Sequence, residues 1–194
     1  MAEMLEIRWH GRGGQGAKTA ALLFAEAAAA AGKFIQAFPE YGPERMGAPV
    51  ISYNRVSEEP ITLHSGIESP QYVAVLDPSF VGSVDFTAGV PDGGVIIINT
   101  GDTPAEMRNR MGLKNMSIRL CTVDASAIAQ DTIGRAIPNT PMLGAIVKAT
   151  GTLDLETVLV DVESKMKKKF RDKPEIVQGN VDAIRRAYEE VVSE

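Results

Sequence analysis

The chain alternates between short apolar runs, typical of β-strands, and longer segments with the apolar spacing of helices. Strands are predicted at residues 5–10, 33–38, 50–56, 72–76, 95–98 and 117–123, with 61–64 as the hairpin partner of the third. Helices are predicted at residues 17–31, 141–150, 155–169 and 174–192, where Gly32 ends the first and Asp154 caps the third.

The order of these elements predicts an α/β fold. The run at residues 95–98 consists of β-branched side chains, which is typical of a parallel strand covered on both faces. We therefore expect one domain over residues 1–194, with a Rossmann-like, doubly wound, mostly parallel sheet. The segment from 50 to 64 predicts a β-hairpin inserted after the second strand.

Composition narrows the class of protein. The net charge of −5 disfavours a nucleic-acid partner. With Cys121 as its single cysteine and two histidines, the chain cannot form an internal disulfide or ligate an iron–sulfur cluster alone, and a zinc site is disfavoured. The most apolar run, residues 20–32, is interrupted by Glu26 and too short to span a membrane. No targeting segment is visible, so we expect a cytoplasmic protein without a membrane partner.

A glycine-rich turn separates the first predicted strand from the first helix. Glycines allow a tight turn and close backbone approach, and a helix N-terminus presents unpaired N–H groups to an anion. The turn therefore predicts a phosphate-binding cradle. It consists of Gly11, Arg12, Gly13, Gly14, Gln15 and Gly16, and it satisfies the pattern G-x-G-x-x-G.

Three alternatives follow from the residues alone. A dinucleotide such as NAD is one, because Glu40 follows the second predicted strand, close to where a ribose-binding acid is expected. Arg12 and Lys18 favour a more highly charged ligand such as coenzyme A, since a cation at a helix N-terminus is unfavourable without an anion. In the third, Lys18 is merely solvated and Arg12 pairs with a nearby acid. Gln15 either binds ligand or holds the turn together.

A second candidate segment is the loop at residues 39–49. Tyr41, Glu44 and Arg45 are large, mixed side chains in a loop whose turns are set by Pro and Gly. This loop is either a rigid surface connection or a contact for a ligand or a partner protein.

Two further segments have a structural and a functional interpretation. Asn139 or Thr140 can cap a helix that begins at Pro141, and that helix is either a core helix or a face packed on another subunit. A basic cluster lies near the end of the predicted helix 155–169, where a solvated helix end is favoured over a site for an acidic partner. Its members are Lys165, Lys167, Lys168, Lys169, Arg171 and Lys173.

Together these segments resemble one family, the gamma subunits of 2-oxoacid:ferredoxin oxidoreductases. The resemblance is carried by IRWHGRGGQGAKTA at 7–20, QAFPEYGPERMGAP at 36–49, NTPMLGA at 139–145 and KPEIVQGN at 173–180. Met46 departs from it, at a place where the family leads us to expect a second arginine or another polar residue.

The resemblance implies a role inside a larger enzyme. Such an enzyme decarboxylates a 2-oxoacid on thiamine diphosphate, passes electrons through iron–sulfur clusters to ferredoxin, and transfers the acyl group to coenzyme A. Thiamine diphosphate, magnesium and the clusters would be held by the alpha, beta and delta subunits. This chain would hold no catalytic residue and no metal, and its glycine turn and Lys18 would help bind the coenzyme A phosphates.

The resemblance also bears on the 2-oxoacid. Trp9 and His10 before the turn, with Arg45, Gly47, Ala48 and Pro49 in the loop, look most like the pyruvate enzymes. Branched-chain enzymes share or resemble that subunit, so pyruvate is favoured over branched-chain acids and over 2-oxoglutarate.

Overall fold

The computed structural model describes residues 4–40, 47–113 and 117–194. Its strands are β1 (Leu5–Arg12), β2 (Phe34–Pro39), β3 (Pro49–Ser57), β4 (Tyr72–Val75), β5 (Val95–Asn99), β6 (Arg119–Val123) and β7 (Val192–Ser193). Its helices are α1 (Ala17–Ala30), α2 (Pro104–Met111), α3 (Ala125–Ile133), α4 (Asn139–Thr150), α5 (Leu155–Lys169) and α6 (Pro174–Glu190). A short 3₁₀ helix, Pro78–Phe80, follows β4.

The strands of the described ranges form one sheet in the order β2-β3-β1-β4-β5-β6-β7. The central strands β1, β4, β5 and β6 are parallel. Strand β3 is antiparallel to both β2 and β1, and β7 is antiparallel to β6. The predicted α/β class with a parallel sheet centre is therefore confirmed.

The two faces of the sheet are covered unequally. On one face, Ile7, Trp9 and their neighbours pack against α1, α3, α4, α5 and α6. On the other face, Ile96 and Ile98 pack against Met107 of α2 and against the segment after β4, through Phe80 and Phe86. Alternation of side chains along each strand sends successive residues to these two cores. The central strands are thus buried on both faces, as the β-branched run at residues 95–98 predicts.

The predicted hairpin partner at residues 61–64 is wrong. These residues form no strand. Strand β3 has no free edge to offer them, because β2 occupies one edge and β1 occupies the other. The antiparallel partners of β3 are instead β2 and β1.

The pattern of apolar residues also missed two helices. Helix α2 buries only Pro104 and Met107, so it has too few apolar positions to show helical spacing. Its start is marked by a capping box, in which Thr103 and Glu106 each accept a backbone N–H of the other. Helix α3 begins after Asp124, whose side chain accepts from the N–H of Ala127.

Two tight contacts hold the helices to the sheet and to each other. Asn54 of β3 lies beneath α1, where its Oδ1 accepts from Trp9 Nε1 at 2.7 Å and its Nδ2 donates to the carbonyl of Ala21 at 2.9 Å. Helices α4 and α6 cross at Gly144, where an added Cβ would overlap the carbonyl oxygen of Ile184. Within the described ranges, no helix has both the length and the apolar character needed to cross a membrane.

Candidate functional site

The glycine turn lies at the carboxyl ends of the parallel strands, where β1 ends and α1 begins. Gly14 has φ 101° and Gly16 has φ 81°, a backbone region that favours glycine. A Cβ on Gly16 would lie 2.7 Å from Nδ2 of Asn139, at the start of α4. The fold therefore brings together two of the segments that the sequence singled out.

The N-terminus of α1 is open to an anion. Gly16 is its N-cap, no side chain of the described residues caps it, and its first turn contains no acid. The first amides of a helix have no acceptor within that helix. Lys18 is exposed and makes no hydrogen bond or ion pair with any residue of the described ranges. Together, the free amides and this ammonium group give the turn a positive potential.

Arg12 is held on several sides by its own chain. Its Nε donates to Asp77 Oδ2 at 2.9 Å, its Nη1 to the carbonyl of Gly47 at 3.2 Å, and its Nη2 to Ser79 Oγ at 2.8 Å. The guanidinium carbon also lies 4.8 Å from the centre of the Phe80 ring. Pairing of Arg12 with a nearby acid, one of the alternatives from sequence, is therefore what the structure shows.

Gln15 closes the turn on itself. Its Oε1 accepts from the backbone N–H of Arg12 at 2.7 Å, and its Nε2 donates to Asp77 Oδ2 at 2.8 Å. Burial alone would raise the pKa of Asp77, but hydrogen bonds from Ser79 and Gln15 and the charge of Arg12 outweigh it and lower that pKa. Asp77 is therefore a carboxylate at neutral pH, and Gln15 holds the loop together through these two hydrogen bonds.

The end of the second loop borders the glycine turn. The N–H of Gly13 donates to the carbonyl of Ala48 at 2.9 Å, and the N–H of Gly47 donates back to Gly13 at 3.2 Å. Tyr41, Glu44 and Arg45 lie outside the described residues, as does Met46, so their roles as partner or ligand contacts stay predictions.

The predicted capping by Asn139 or Thr140 is wrong. Helix α4 begins at Asn139 itself, and its N-cap, Pro138, has no side-chain cap. The oxygen Oδ1 of Asn139 accepts from the N–H of Thr140 at 2.8 Å, and Oγ1 of Thr140 donates to Asn180 Oδ1 of α6 at 2.8 Å. Asn139 therefore packs against Gly16 of the glycine turn and Thr140 bonds to α6, and neither side chain caps α4.

The sheet order separates Glu40 from the glycine turn. Glu40 follows β2, as the sequence indicated, and its carboxylate accepts from the hydroxyl of Tyr53 at 2.8 Å. Strand β3 lies between β2 and β1, which moves Glu40 about 5 Å further from the turn than on an adjacent strand. A ribose-binding acid belongs on the strand next to the first, so the topology disfavours the dinucleotide alternative.

His10 is a buried residue of β1 that directly precedes Gly11, the first glycine of the turn. It is 3 % exposed, its ring meets Phe86 edge-on at 6.2 Å, and Nε2 has no hydrogen-bond partner among the described residues. Burial first, and then the charge of Arg8, lower the pKa of His10 to about 4, partly opposed by Asp85. His10 is therefore neutral at pH 7.

Two of the six side chains of the basic cluster form ion pairs with acids of the same surface. Lys165 pairs with Asp161 and, at 3.1 Å, with Glu26 of α1, while Lys167 pairs with Glu163 at 2.8 Å. These pairs support the solvated helix end. In the part of the chain that the structure describes, no group of three His, Cys, Asp or Glu side chains could hold a metal ion.

Asp77 and Ser79 are the site residues that sequence reasoning missed. Both follow β4, the strand next to β1, so they reach the same sheet edge as the glycine turn. The available signal was the pair Asp77-Pro78, which closes a buried strand at a carboxyl end, where ligand-binding side chains collect in α/β sheets.

Comparison with known proteins places the chain. Residues 6–190 match the family model for pyruvate ferredoxin/flavodoxin oxidoreductase. The chain belongs to this family. It is 45% identical over 186 residues to a pyruvate synthase subunit PorC of Thermotoga maritima, covering 96% of this chain and 94% of that protein. It is 46% identical over 189 residues to a pyruvate/ketoisovalerate oxidoreductases common subunit gamma of Thermococcus litoralis, covering 97% and 98%.

Solved structures of this oxidoreductase family share the fold. The crystal structure of the pyruvate oxidoreductase subunit PORC of Thermotoga maritima has a TM-score of 0.85 and 42% identity, with 99% of both chains covered. The gamma subunit of a keto/oxoacid ferredoxin oxidoreductase of Geobacter sulfurreducens has a TM-score of 0.71 and 25% identity, over 95% of this chain and 96% of that one. The resemblance to gamma subunits seen in the sequence is therefore confirmed.

Proposed function

We propose that the chain is the gamma subunit of a multi-subunit, pyruvate-type 2-oxoacid:ferredoxin oxidoreductase. The complex would convert a 2-oxoacid, coenzyme A and oxidised ferredoxin into acyl-coenzyme A, carbon dioxide and reduced ferredoxin. Near-full-length identity of 45% and 46% to proteins named as such subunits supports this proposal. One of those names joins pyruvate with ketoisovalerate, so a branched-chain 2-oxoacid is the second substrate to test.

Within that complex, we propose that the glycine turn helps bind the phosphates of coenzyme A. The observation that carries this is the open N-terminus of α1 beside Lys18, which has no acid partner within the described ranges. The turn fits a phosphate because its backbone can approach closely and its potential is positive. The proposed contacts are Gly11, Arg12, Gly13, Gly14, Gln15, Gly16 and Lys18.

The chemistry itself would take place on other chains. Thiamine diphosphate with magnesium supplies the decarboxylation, and iron–sulfur clusters supply the electron path to ferredoxin; all are assigned to the alpha, beta and delta subunits. The role proposed for this chain is to bind and orient coenzyme A, and orientation alone contributes several kcal/mol to catalysis in many enzymes. The segments around Tyr41, Glu44, Arg45, Asn139 and Thr140 are proposed as contacts to partner subunits or to the ligand.

The test of the coenzyme A role compares two lysines in the assembled complex. Lys18→Ala is expected to raise the KM for coenzyme A about five- to tenfold, since one favourable charge contact is worth roughly 1 kcal/mol. Lys168→Ala is the matched control, because Lys168 is also exposed and makes no ion pair with a described residue. An unchanged KM in Lys18→Ala and in Arg12→Ala would favour a purely structural subunit.

The test of the assembly is purification from the native source. Native mass spectrometry should find this chain together with subunits that carry thiamine diphosphate and iron–sulfur clusters. Elution of the chain alone under mild conditions would contradict the proposal. Saturable binding of NADH or NADPH by the chain would instead support the free-standing nicotinamide enzyme.

A further inference from the structure

We propose that Asp77 is a positioning residue of the phosphate site: it orients Arg12 and Gln15, so that the turn keeps its shape before coenzyme A binds. This inference rests on the proposed role of the glycine turn in coenzyme A binding. It assigns a function to a side chain that contacts the turn from a neighbouring strand.

The contacts converge on one carboxylate. Oδ2 of Asp77 accepts from Arg12 Nε at 2.9 Å and from Gln15 Nε2 at 2.8 Å, while Oδ1 accepts from the N–H of Ser79 at 2.9 Å. The Asp77 side chain is 10% exposed. Because both oxygens are engaged, the carboxylate has a defined orientation, and so do the two side chains that donate to it.

The support behind Asp77 is rigid backbone. The N–H of Leu76 donates to the carbonyl of His10 at 2.8 Å, which extends the pairing of β4 with β1 up to the turn. Gln15, which donates to Asp77, also accepts a hydrogen bond from the N–H of Arg12 and so fixes the start of the turn. Asp77 thereby links the beginning and the end of the glycine turn to the adjacent strand.

The charges of the site divide among three side chains. The carboxylate of Asp77 balances the guanidinium of Arg12, so that this pair adds little net charge. Arg12 has five N–H groups, of which three donate to Asp77, Gly47 and Ser79, while the other two have no acceptor among the described residues and can donate to a ligand. Lys18 has no acid partner among the described residues. Asp77 therefore orients Arg12 and Gln15, Arg12 donates hydrogen bonds to the phosphate, and Lys18 supplies the net positive charge of the site.

The experiment measures CoA-dependent pyruvate oxidation by the assembled complex carrying Asp77→Asn. Asparagine keeps one oxygen for Ser79 but presents an NH₂ group where Arg12 and Gln15 need an acceptor. We expect the KM for coenzyme A to rise about tenfold, with a smaller change in kcat and an unchanged KM for pyruvate. Asp85→Asn is the matched control, since Asp85 accepts from Thr87 and Ala88 and none of its hydrogen bonds reaches the turn.

A salt series and a double-mutant cycle separate positioning from charge. Screening weakens interactions between exposed charges. The KM for coenzyme A should therefore lose part of its salt dependence in Lys18→Ala. In Asp77→Asn, which leaves the charge of Arg12 unbalanced, the salt dependence should be retained or become steeper. Arg12→Ala combined with Asp77→Asn should cost little more than either change alone, because both act through the same contact.

Each outcome decides one question. If Lys18→Ala raises the KM for coenzyme A and Asp77→Asn does not, the positioning role is wrong while the proposed function stands. If neither Lys18→Ala nor Arg12→Ala changes it, the proposed coenzyme A role of the glycine turn fails, and the positioning role of Asp77 fails with it. Equal losses toward coenzyme A and pyruvate in Asp77→Asn, or additive effects with Arg12→Ala, would show a general structural role and overturn the inference. Should Asp77→Asn fail to assemble, Gln15→Leu tests the same link with the Asp77–Arg12 pair intact.

Discussion

Lowering the pH from 7 to 5 should destabilise this fold through His10. The side chain is 3 % exposed, and its Nε2 has no hydrogen-bond partner among the described residues. Burial and the neighbouring charge of Arg8 lower its pKa from 6.5 to about 4, although Asp85 opposes them. An imidazolium at this position would be poorly solvated and close to another cation.

His10 binds a proton more readily in the unfolded chain than in the folded one, and this difference sets how stability changes with pH. In the unfolded chain His10 takes up a proton near pH 6.5, whereas in the folded chain it does so only near pH 4. Between these values the unfolded state binds more protons, so the free energy of unfolding falls as the pH falls. At about 1.4 kcal/mol for each tenfold change, the loss is about 2 kcal/mol at pH 5 and approaches about 3 kcal/mol below pH 4.

The assay is urea unfolding at pH 7, 6 and 5, followed by circular dichroism. Carboxylates also titrate toward pH 4, so the informative quantity is the difference between wild type and His10→Asn, which cannot take up this proton. The variant should lose about 2 kcal/mol less than wild type between pH 7 and 5. His64→Asn, which replaces the exposed histidine by the same residue, is the control for the substitution itself. Equal losses in wild type and His10→Asn would refute the assignment.

Two packing predictions can be checked by thermal and urea unfolding at neutral pH. Gly144→Ala should destabilise the chain by about 1–3 kcal/mol, because the new methyl group overlaps the backbone carbonyl of Ile184. Gly66→Ala is the control and should have a much smaller effect, because the space around Gly66 is open. Equal effects of the two substitutions would contradict the packing argument. Asn54→Ala should cost about 2 kcal/mol, since it leaves the indole N–H of Trp9 buried without an acceptor and removes a second donor from the carbonyl of Ala21, which keeps its helical hydrogen bond. A loss below about 0.5 kcal/mol would mean that water replaces the amide.

The central strands and helix α5 could be predicted from sequence because short, continuous stretches of residues determine them. Residues 95–98 of strand β5 form a continuous, fully buried β-branched run, and such a run has few alternatives to a central parallel strand. Helix α5 showed both its N-cap, Asp154, and its apolar spacing. Pairing partners could not be predicted in the same way. The segment 61–64 has the composition of a strand, but both edges of β3 are taken by strands from other parts of the chain.

In the candidate site, too, the local backbone conformation could be predicted from the sequence, whereas contacts between distant residues could not. The shape of the turn was predictable, because positive φ angles at Gly14 and Gly16 follow from the glycines themselves. Its internal bonding was not predictable, since Gln15 and Asp77 are 62 residues apart in the chain. Only the order of the strands, with β4 beside β1, makes that contact possible.

Strand order also explains why the two cations of the turn differ. In the sequence, Arg12 and Lys18 are equivalent candidates for binding a phosphate. In the fold, Arg12 ends β1 and therefore meets the carboxylate that ends the neighbouring β4, whereas Lys18 lies on the exposed side of α1. The charge of Arg12 is already balanced, so a phosphate at this turn gains orientation from Arg12 and net attraction from Lys18 and the helix N-terminus. A count of positive residues in the motif would overestimate the charge of the site, because the topology supplies an acid that the motif does not contain.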